Sequence, residues 1–210
     1  MKSVLEGSGN INAIIFDLGN VLLDIDIQRS IDGFMNLNIG GLKPEDVFPS
    51  PLKIFKDYEM GKVSSMQFFD FFKREYDVKN VEEANFWAAW NVLLNDFDPQ
   101  RIELLRKLGE SYDLYVLSNT NAEHVRRFNE MFRKQYKQEF CSLFKRCFYS
   151  NEMKMRKPNA EIYLKVIQQT GIDPQKTLFI DDLEENVEAA RKCGINGYCL
   201  KQNETILDIF

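Results

Sequence analysis

Five short apolar runs rich in β-branched and aromatic residues constrain this chain more than any other feature: Ala13–Asp17, Leu114–Ser118, Arg146–Ser150, Thr177–Asp181 and Gly197–Leu200. Turn residues or charges bound each run, as expected of short buried strands. Helical patterns lie among the last four. Arg101–Leu108 repeats Ile102, Leu105 and Leu108 at helical spacing and ends at Gly109. Asn159–Thr170 carries Ile162, Tyr163, Val166 and Ile167 and stops at Gly171, and Asn186–Cys193 is closed by Gly194. Strands alternating with helices of this length predict right-handed βαβ units and a mostly parallel sheet, an α/β architecture.

The rhythm breaks once. From about Ile27 to Asp96 there is no convincing strand but many helical runs. Ser64–Tyr76 carries Met66, Phe68, Phe69, Phe71 and Phe72, and Glu82–Leu94 carries Phe86, Trp87, Trp90, Leu93 and Leu94. Aromatic residues at helical spacing are expected to form a core. Lys43-Pro44 and Pro49-Ser50-Pro51 read as loops. The expected organisation is an α/β core from 11–26 and 97–210, with 27–96 inserted as a helical cap over the carboxyl edge of the sheet.

Bulk properties remove several function classes. The chain has 210 residues, enough to bury a sizeable core, and is 44% hydrophobic and 28% charged, as ordinary globular proteins are. A net charge of −5 gives no support to nucleic-acid binding through a basic surface. No apolar run is long enough to span a bilayer. Met1–Asn10 lacks an apolar core and a small-residue cleavage site and reads as a tail, so a cytoplasmic location is expected. Cys141, Cys147, Cys193 and Cys199 form no CxxC pair, and His124 is the sole histidine, so zinc is not indicated. These cysteines are expected to be reduced structural thiols.

Four polar stations follow the strands, where open α/β sheets carry their chemistry. Asp17 ends the first run; a carboxylate there is either a turn residue or a nucleophile able to attack phosphorus. Ser118, Asn119 and Thr120 follow the second run and can donate hydrogen bonds to phosphoryl oxygens, or cap the helix beginning near Ala122. Lys157, held extended by Pro158, can neutralise a nucleophile and a transferring phosphoryl group, with Arg156 beside it expected to be a solvated charge. Asp181 and Asp182 repel each other at the end of the fourth run unless a cation sits beside them, and Mg²⁺ suits so few carboxylates. Glu184 and Glu185 are expected to face solvent, Asn186 to orient the acidic pair, and His124 to cap or pack.

In order, spacing and strand context these stations resemble the haloacid dehalogenase (HAD) superfamily. The carriers are Asp17-Leu18-Gly19-Asn20-Val21, Leu117-Ser118-Asn119-Thr120-Asn121, Arg156-Lys157-Pro158 and Phe179-Ile180-Asp181-Asp182. Their variants look like the branch with bacterial α-D-glucose-1-phosphatase and the phosphatase domain of soluble epoxide hydrolase. The resemblance implies a Rossmann-like core with a helical cap and a Mg²⁺-dependent phosphatase acting on a small phosphorylated metabolite. It implies Asp17 as nucleophile and a metal held by Asp17, the Gly19 carbonyl, Asp181 and Asp182. Ser118, Asn119, Thr120 and Lys157 would stabilise the phosphoryl oxygens.

One departure matters. Phosphatases of the family usually carry a second aspartate two residues after the nucleophile, as general acid and base, where this chain has Gly19. Proton donation of this kind typically contributes roughly 10²–10⁴-fold. Three readings follow. The substrate has a good leaving group, such as a sugar 1-phosphate; Asp24 or Asp26 supplies the proton; or catalysis is lost and the fold binds a phosphometabolite or a protein. The first is favoured here, with water or Asp24 assisting. Dehalogenation needs no metal and is disfavoured by the acidic pair. A receiver domain would place that pair after its first strand.

Overall fold

The computed structural model describes residues 10–47, 52–76, 78 and 81–210. The loop expected at Pro49-Ser50-Pro51 and the first nine residues of the amino-terminal tail lie outside the described residues.

Each strand is a short apolar run, and its burial follows its place in the sheet. β1 (Ala13–Phe16) and β4 (Thr177–Asp181) are buried at every position, whereas β5 (Asn196–Cys199) is half-buried throughout, as an edge strand should be. β2 (Asp113–Ser118) and β3 (Arg146–Tyr149) complete a five-stranded sheet ordered β3-β2-β1-β4-β5, with all pairs parallel. This is the alternation read from the sequence. The order reverses at β1, which pairs with β2 on one side and β4 on the other. The crevice at such a switch point is where open α/β sheets bind ligands.

Period-two alternation sorts the strand residues onto two covered faces. Ile14, Phe16, Leu178 and Ile180 join one cluster with α6 (Pro99–Leu108), α7 (Ala122–Tyr136) and α11 (Ile206–Ile209) through Ile102, Leu105, Phe128, Phe132 and Ile206. Ala13, Ile15 and Phe179 join another with α9 (Ala160–Thr170) and α10 (Glu184–Lys192) through Ile162, Tyr163, Val166 and Ala190. Local chemistry marks the helix ends: Asp98 caps α6 ahead of Pro99, Asn121 caps α7, and Gly171 ends α9 at φ 70°.

Between β1 and α6 the chain forms α1 (Ile27–Asn36), α2 (Pro44–Val47), α3 (Lys53–Glu59), α4 (Ser65–Glu75) and α5 (Glu83–Asn91). These helices share a separate cluster that includes Phe34, Phe55, Tyr58, Phe68, Phe72, Phe86 and Trp90. Rings meet edge-on, as at Phe34–Phe86 (5.0 Å, 77°), or stacked, as at Tyr58–Phe68 (4.5 Å, 22°). Ser64 starts α4 with a capping box to Gln67. Two readings need correction. Met66 is 70% exposed and lies outside this core, because it falls on the outer face of α4. Pro44 opens a short helix, where its fixed φ and missing N–H are tolerated. The remaining helix, α8 (Ser150–Met153), directly follows β3.

The cysteine expectation is also corrected. Cys141 and Cys147 are joined as a disulfide, with their Cα atoms 6.0 Å apart, while Cys193 and Cys199 are free. The turn between the 3₁₀ segment Phe140–Leu143 and β3 folds the two thiols together, which spacing alone does not reveal. Among the described residues no helix is long and apolar enough to cross a membrane.

Candidate active site

Asp17 follows β1, Ser118 ends β2, and Asp181 ends β4 with Asp182 next. The parallel register sets all of these at one carboxyl edge. Lys157 comes from the loop before α9, after which the Lys157–Pro158 bond is cis. Its ammonium lies 2.7 Å from Asp17 Oδ1 and 2.6 Å from Asp181 Oδ2, with the lysine 1% exposed.

Burial works against the Lys157 charge, yet Asp17 and Asp181 outweigh it and hold the ammonium above its ordinary proton affinity. For Asp17 the balance goes the other way. Burial pushes its carboxyl up to about 7, with Lys157 pulling down and Asp181 pushing up further. Asp17, Asp181 and Asp182 each offer an oxygen within 4.8 Å of the others. Once Asp17 ionises, three carboxylates stand around one ammonium, an excess of negative charge that a divalent cation would match and that would in turn favour the ionised Asp17.

The two members of the acidic pair differ. Asp181 is fully buried and engaged at both oxygens: Oδ1 accepts from Leu183 N and Asn186 Nδ2 (both 2.9 Å), and Oδ2 from Lys157 and Asn186 (3.1 Å). Asn186 therefore orients Asp181, as expected. Asp182 is half-buried, its carboxyl raised chiefly by burial, and its Oδ2 accepts from Asn20 Nδ2 at 3.1 Å. Asn20 also accepts from Ile25 N at 3.1 Å and sits at φ 56°, a conformation that asparagine tolerates. Sequence reading passed over Asn20. Its signal, an Asn in the turn after the first strand, has meaning only once Asp182 is known to lie opposite.

The second-strand station divides its work. Ser118 is 3% exposed and its hydroxyl engages no protein partner among the described residues. Asn119 clamps the Lys157 backbone, donating to its carbonyl (3.0 Å) and accepting from its N–H (2.9 Å). Thr120 N donates to Ser150 Oγ at 2.9 Å, and neither Ser118 nor Asn119 but Asn121 caps α7. His124 packs: its ring stacks on Trp90 (5.2 Å, 16°), with Nδ1 against Asn121 Nδ2 and Nε2 against Trp90 O. Burial pulls its pKa down to about 4.

Asp17, Ser118, Asn119, Thr120, Lys157 and Asp182, with Gly19, Asn20, Ile25, Glu59, His124 and Asn186, line one cleft of about 290 Å³, and the fully buried Asp181 lies behind Lys157. Larger grooves of about 580 and 630 Å³ run along α5 and α7 but hold none of the strand-end stations. Asp24 is not brought to this cleft. Arg101 Nη1 holds it at 2.7 Å, and it faces a neighbouring cavity with Lys201 and Glu204 that meets the cleft at Asn20 and Asp182. Asp26 is spent as the cap of α1. Gly19 reaches the cleft without a side chain, and the terminal methyl of Ile25 rests beside it, 2.6 Å from where a Cβ would stand. Arg156, expected in solvent, pairs instead with Glu59 of α3 at 3.1 Å. Glu184 and Glu185 are exposed.

Known proteins share this architecture. The chain is 26% identical to a D-ribitol-5-phosphate phosphatase of Bacteroides thetaiotaomicron, over 94% of this chain and 98% of that one. It is 27% identical to the sesquiterpene phosphatase astK of Aspergillus oryzae, over 88% and 87% of the two chains. A HAD family enzyme of Bacteroides thetaiotaomicron, solved in complex with magnesium and inorganic phosphate, superposes with a TM-score of 0.84 at 34% identity, covering 92% and 96%. The family model for haloacid dehalogenase-like hydrolases matches residues 11–194. That span runs from the first strand through every station around Lys157, and the chain belongs to the haloacid dehalogenase-like hydrolases.

Proposed function

We propose that this chain is a Mg²⁺-dependent phosphatase that hydrolyses a small phosphorylated metabolite through an aspartyl phosphate on Asp17. The observation that carries this reading is the Lys157 ammonium held between Asp17 and Asp181, within a group of three carboxylates close enough to share one metal ion. In this reading Asp17, the Gly19 carbonyl and Asp182 hold the metal. Asp181 belongs to the same acidic group, but with both oxygens occupied it serves mainly to fix Lys157. Bound there, Mg²⁺ supplies positive charge against the phosphoryl oxygens. Asp17 attacks phosphorus; Ser118, the Thr120 region and Lys157 stabilise the equatorial oxygens; water then hydrolyses the acyl phosphate. Asn119 acts mainly by holding Lys157 in place.

In the same reading residues 27–96 form a cap. Their separate aromatic core and the presence of Glu59 and Ile27 in the cleft support this. A cap excludes water and meets the leaving group. The similarity to phosphatases with small organic substrates supports the substrate class. Within it, an active site with no acid in place of Gly19 would favour esters whose leaving oxygen needs little protonation, a sugar 1-phosphate among them. The named substrate of the Bacteroides relative is instead a primary alkyl ester, whose departing oxygen needs a proton.

Phosphate release from sugar 1-phosphates, sugar 6-phosphates and polyol phosphates, with and without Mg²⁺, tests the reading. Mg²⁺-dependent release that disappears in Asp17→Asn is the expected result. No release from any ester, by folded protein that binds Mg²⁺, would favour a silent binding protein.

A further inference from the structure

An in-line displacement places the leaving oxygen opposite the attacking carboxylate. Asp17 lies at the sheet edge, so that oxygen departs away from the sheet, toward the inserted helices. With no side chain at Gly19, the proton must come from elsewhere. The titratable side chains in the cleft are Asp17, Glu59, His124, Lys157 and Asp182. Asp17 is the nucleophile, Lys157 is locked between two carboxylates, and Asp182 is tied to Asn20 in the acidic group. His124 has both ring nitrogens committed: Nδ1 accepts from Asn121, which leaves Nε2–H to donate to Trp90 O. Asp24 and Asp26 are held outside by Arg101 and by the start of α1.

We propose that Glu59, on the helical insertion, protonates the leaving oxygen and takes over the work of the side chain missing at position 19. The inference rests on the phosphatase reading above. Glu59 Oε2 pairs with Arg156, and among the described residues Oε1 has no protein partner. The backbone that carries it is anchored to the core. Ser150 Oγ, fully buried, donates to the Glu59 carbonyl at 2.6 Å and accepts from Thr120 N, so one hydroxyl joins this turn to the phosphate-binding loop. Two residues on, Gly61 sits so close to α8 that a Cβ there would meet the Asn151 carbonyl at 2.1 Å, and Lys154 Nζ donates to the Gly61 carbonyl. Burial raises the Glu59 carboxyl above the ordinary range, although Arg156 and Lys56, the charged groups facing it, pull it down.

The cycle balances. Asp17 forms the new bond to phosphorus, the ester P–O bond breaks, and its oxygen takes the Glu59 proton, so the alcohol leaves and Glu59 becomes a carboxylate facing Arg156. Water then attacks the aspartyl phosphate and gives a proton to Glu59. Phosphate leaves, Asp17 is regenerated as a carboxylate, and Glu59 is again an acid.

The test is kcat/KM of wild type and Glu59→Gln on a polyol 5-phosphate and on p-nitrophenyl phosphate, whose leaving group needs little protonation. We expect a loss of about 10²-fold or more on the alkyl ester and less than about tenfold on the aryl ester. Equal losses on both, or none, overturn the assignment. If thermal melting finds Glu59→Gln misfolded, Arg156→Gln replaces it. Removing the counter-charge should move the alkaline limb of the alkyl-ester pH profile upward, and an unmoved limb overturns the proposal. Wild type with no Mg²⁺-dependent turnover would instead strike the phosphatase reading itself.

Discussion

Asp17→Asn should stabilise this protein when metal is removed. The Asp17 carboxyl is pushed up from 3.8 to about 7, with burial as the largest cause and Lys157 failing to offset it. Above pH 3.8 the unfolded chain releases this proton while the folded chain keeps it, so stability falls as pH rises until the folded group also ionises near 7. A shift of about three units corresponds to roughly 4 kcal/mol as a ceiling. An asparagine has no proton to lose in either state and escapes the loss. In EDTA the variant should therefore exceed wild type, by at most about 2 kcal/mol at pH 5 and at most about 4 kcal/mol at pH 8. For a chain of this size the larger figure is a rise in Tm of roughly 8–16 °C. The assay is thermal unfolding across this pH range. Adding Mg²⁺ should narrow the gap, because the ion stabilises wild type by binding the folded carboxylates. If the variant melts at or below wild type at pH 8 in EDTA, burial does not dominate at Asp17, and the argument from excess negative charge fails with it.

Other outcomes follow from the same geometry. Lys157→Met strips the shared cation from two buried carboxylates and should cost roughly 3–5 kcal/mol in urea unfolding, with turnover lost. Asn20→Gly keeps the left-handed backbone but removes the bond to Asp182; Mg²⁺ titration should show about 10-fold weaker binding or more, with little change in Tm. Gly19→Asp should leave the melting temperature close to that of wild type, because its Cβ meets only the terminal methyl of Ile25, which can rotate aside; a large fall in Tm would show the position to be closed.

The sheet was legible because its signals are local. The central runs β1 and β4 are buried where they stand, and the glycines that end α9 and α10 lie next to the turns they permit. The strand-end stations were legible for the same reason, since a parallel sheet brings every carboxyl end to one edge. What stayed hidden depends on segments meeting across the chain. Asn20 reaches Asp182 across 162 residues, and Ser150 reaches the Glu59 carbonyl across 91. Neither pair has a spacing rule. Asp24 misled for the converse reason: near Asp17 in sequence, it is turned away by Arg101, a buried cation 77 residues distant. Cys141 and Cys147 likewise meet only because the chain turns sharply before β3.

The central claim is that Asp17 becomes phosphorylated during turnover. Its most direct test is rapid acid quench of the Mg²⁺-loaded enzyme during the first turnover of an accepted ester, followed by borohydride reduction and peptide mapping. The account predicts a reducible phosphoryl group on the peptide carrying Asp17, present in wild type and absent in Asp17→Asn. Phosphate release at full rate with no acyl phosphate formed, or with one formed on another residue, would contradict it.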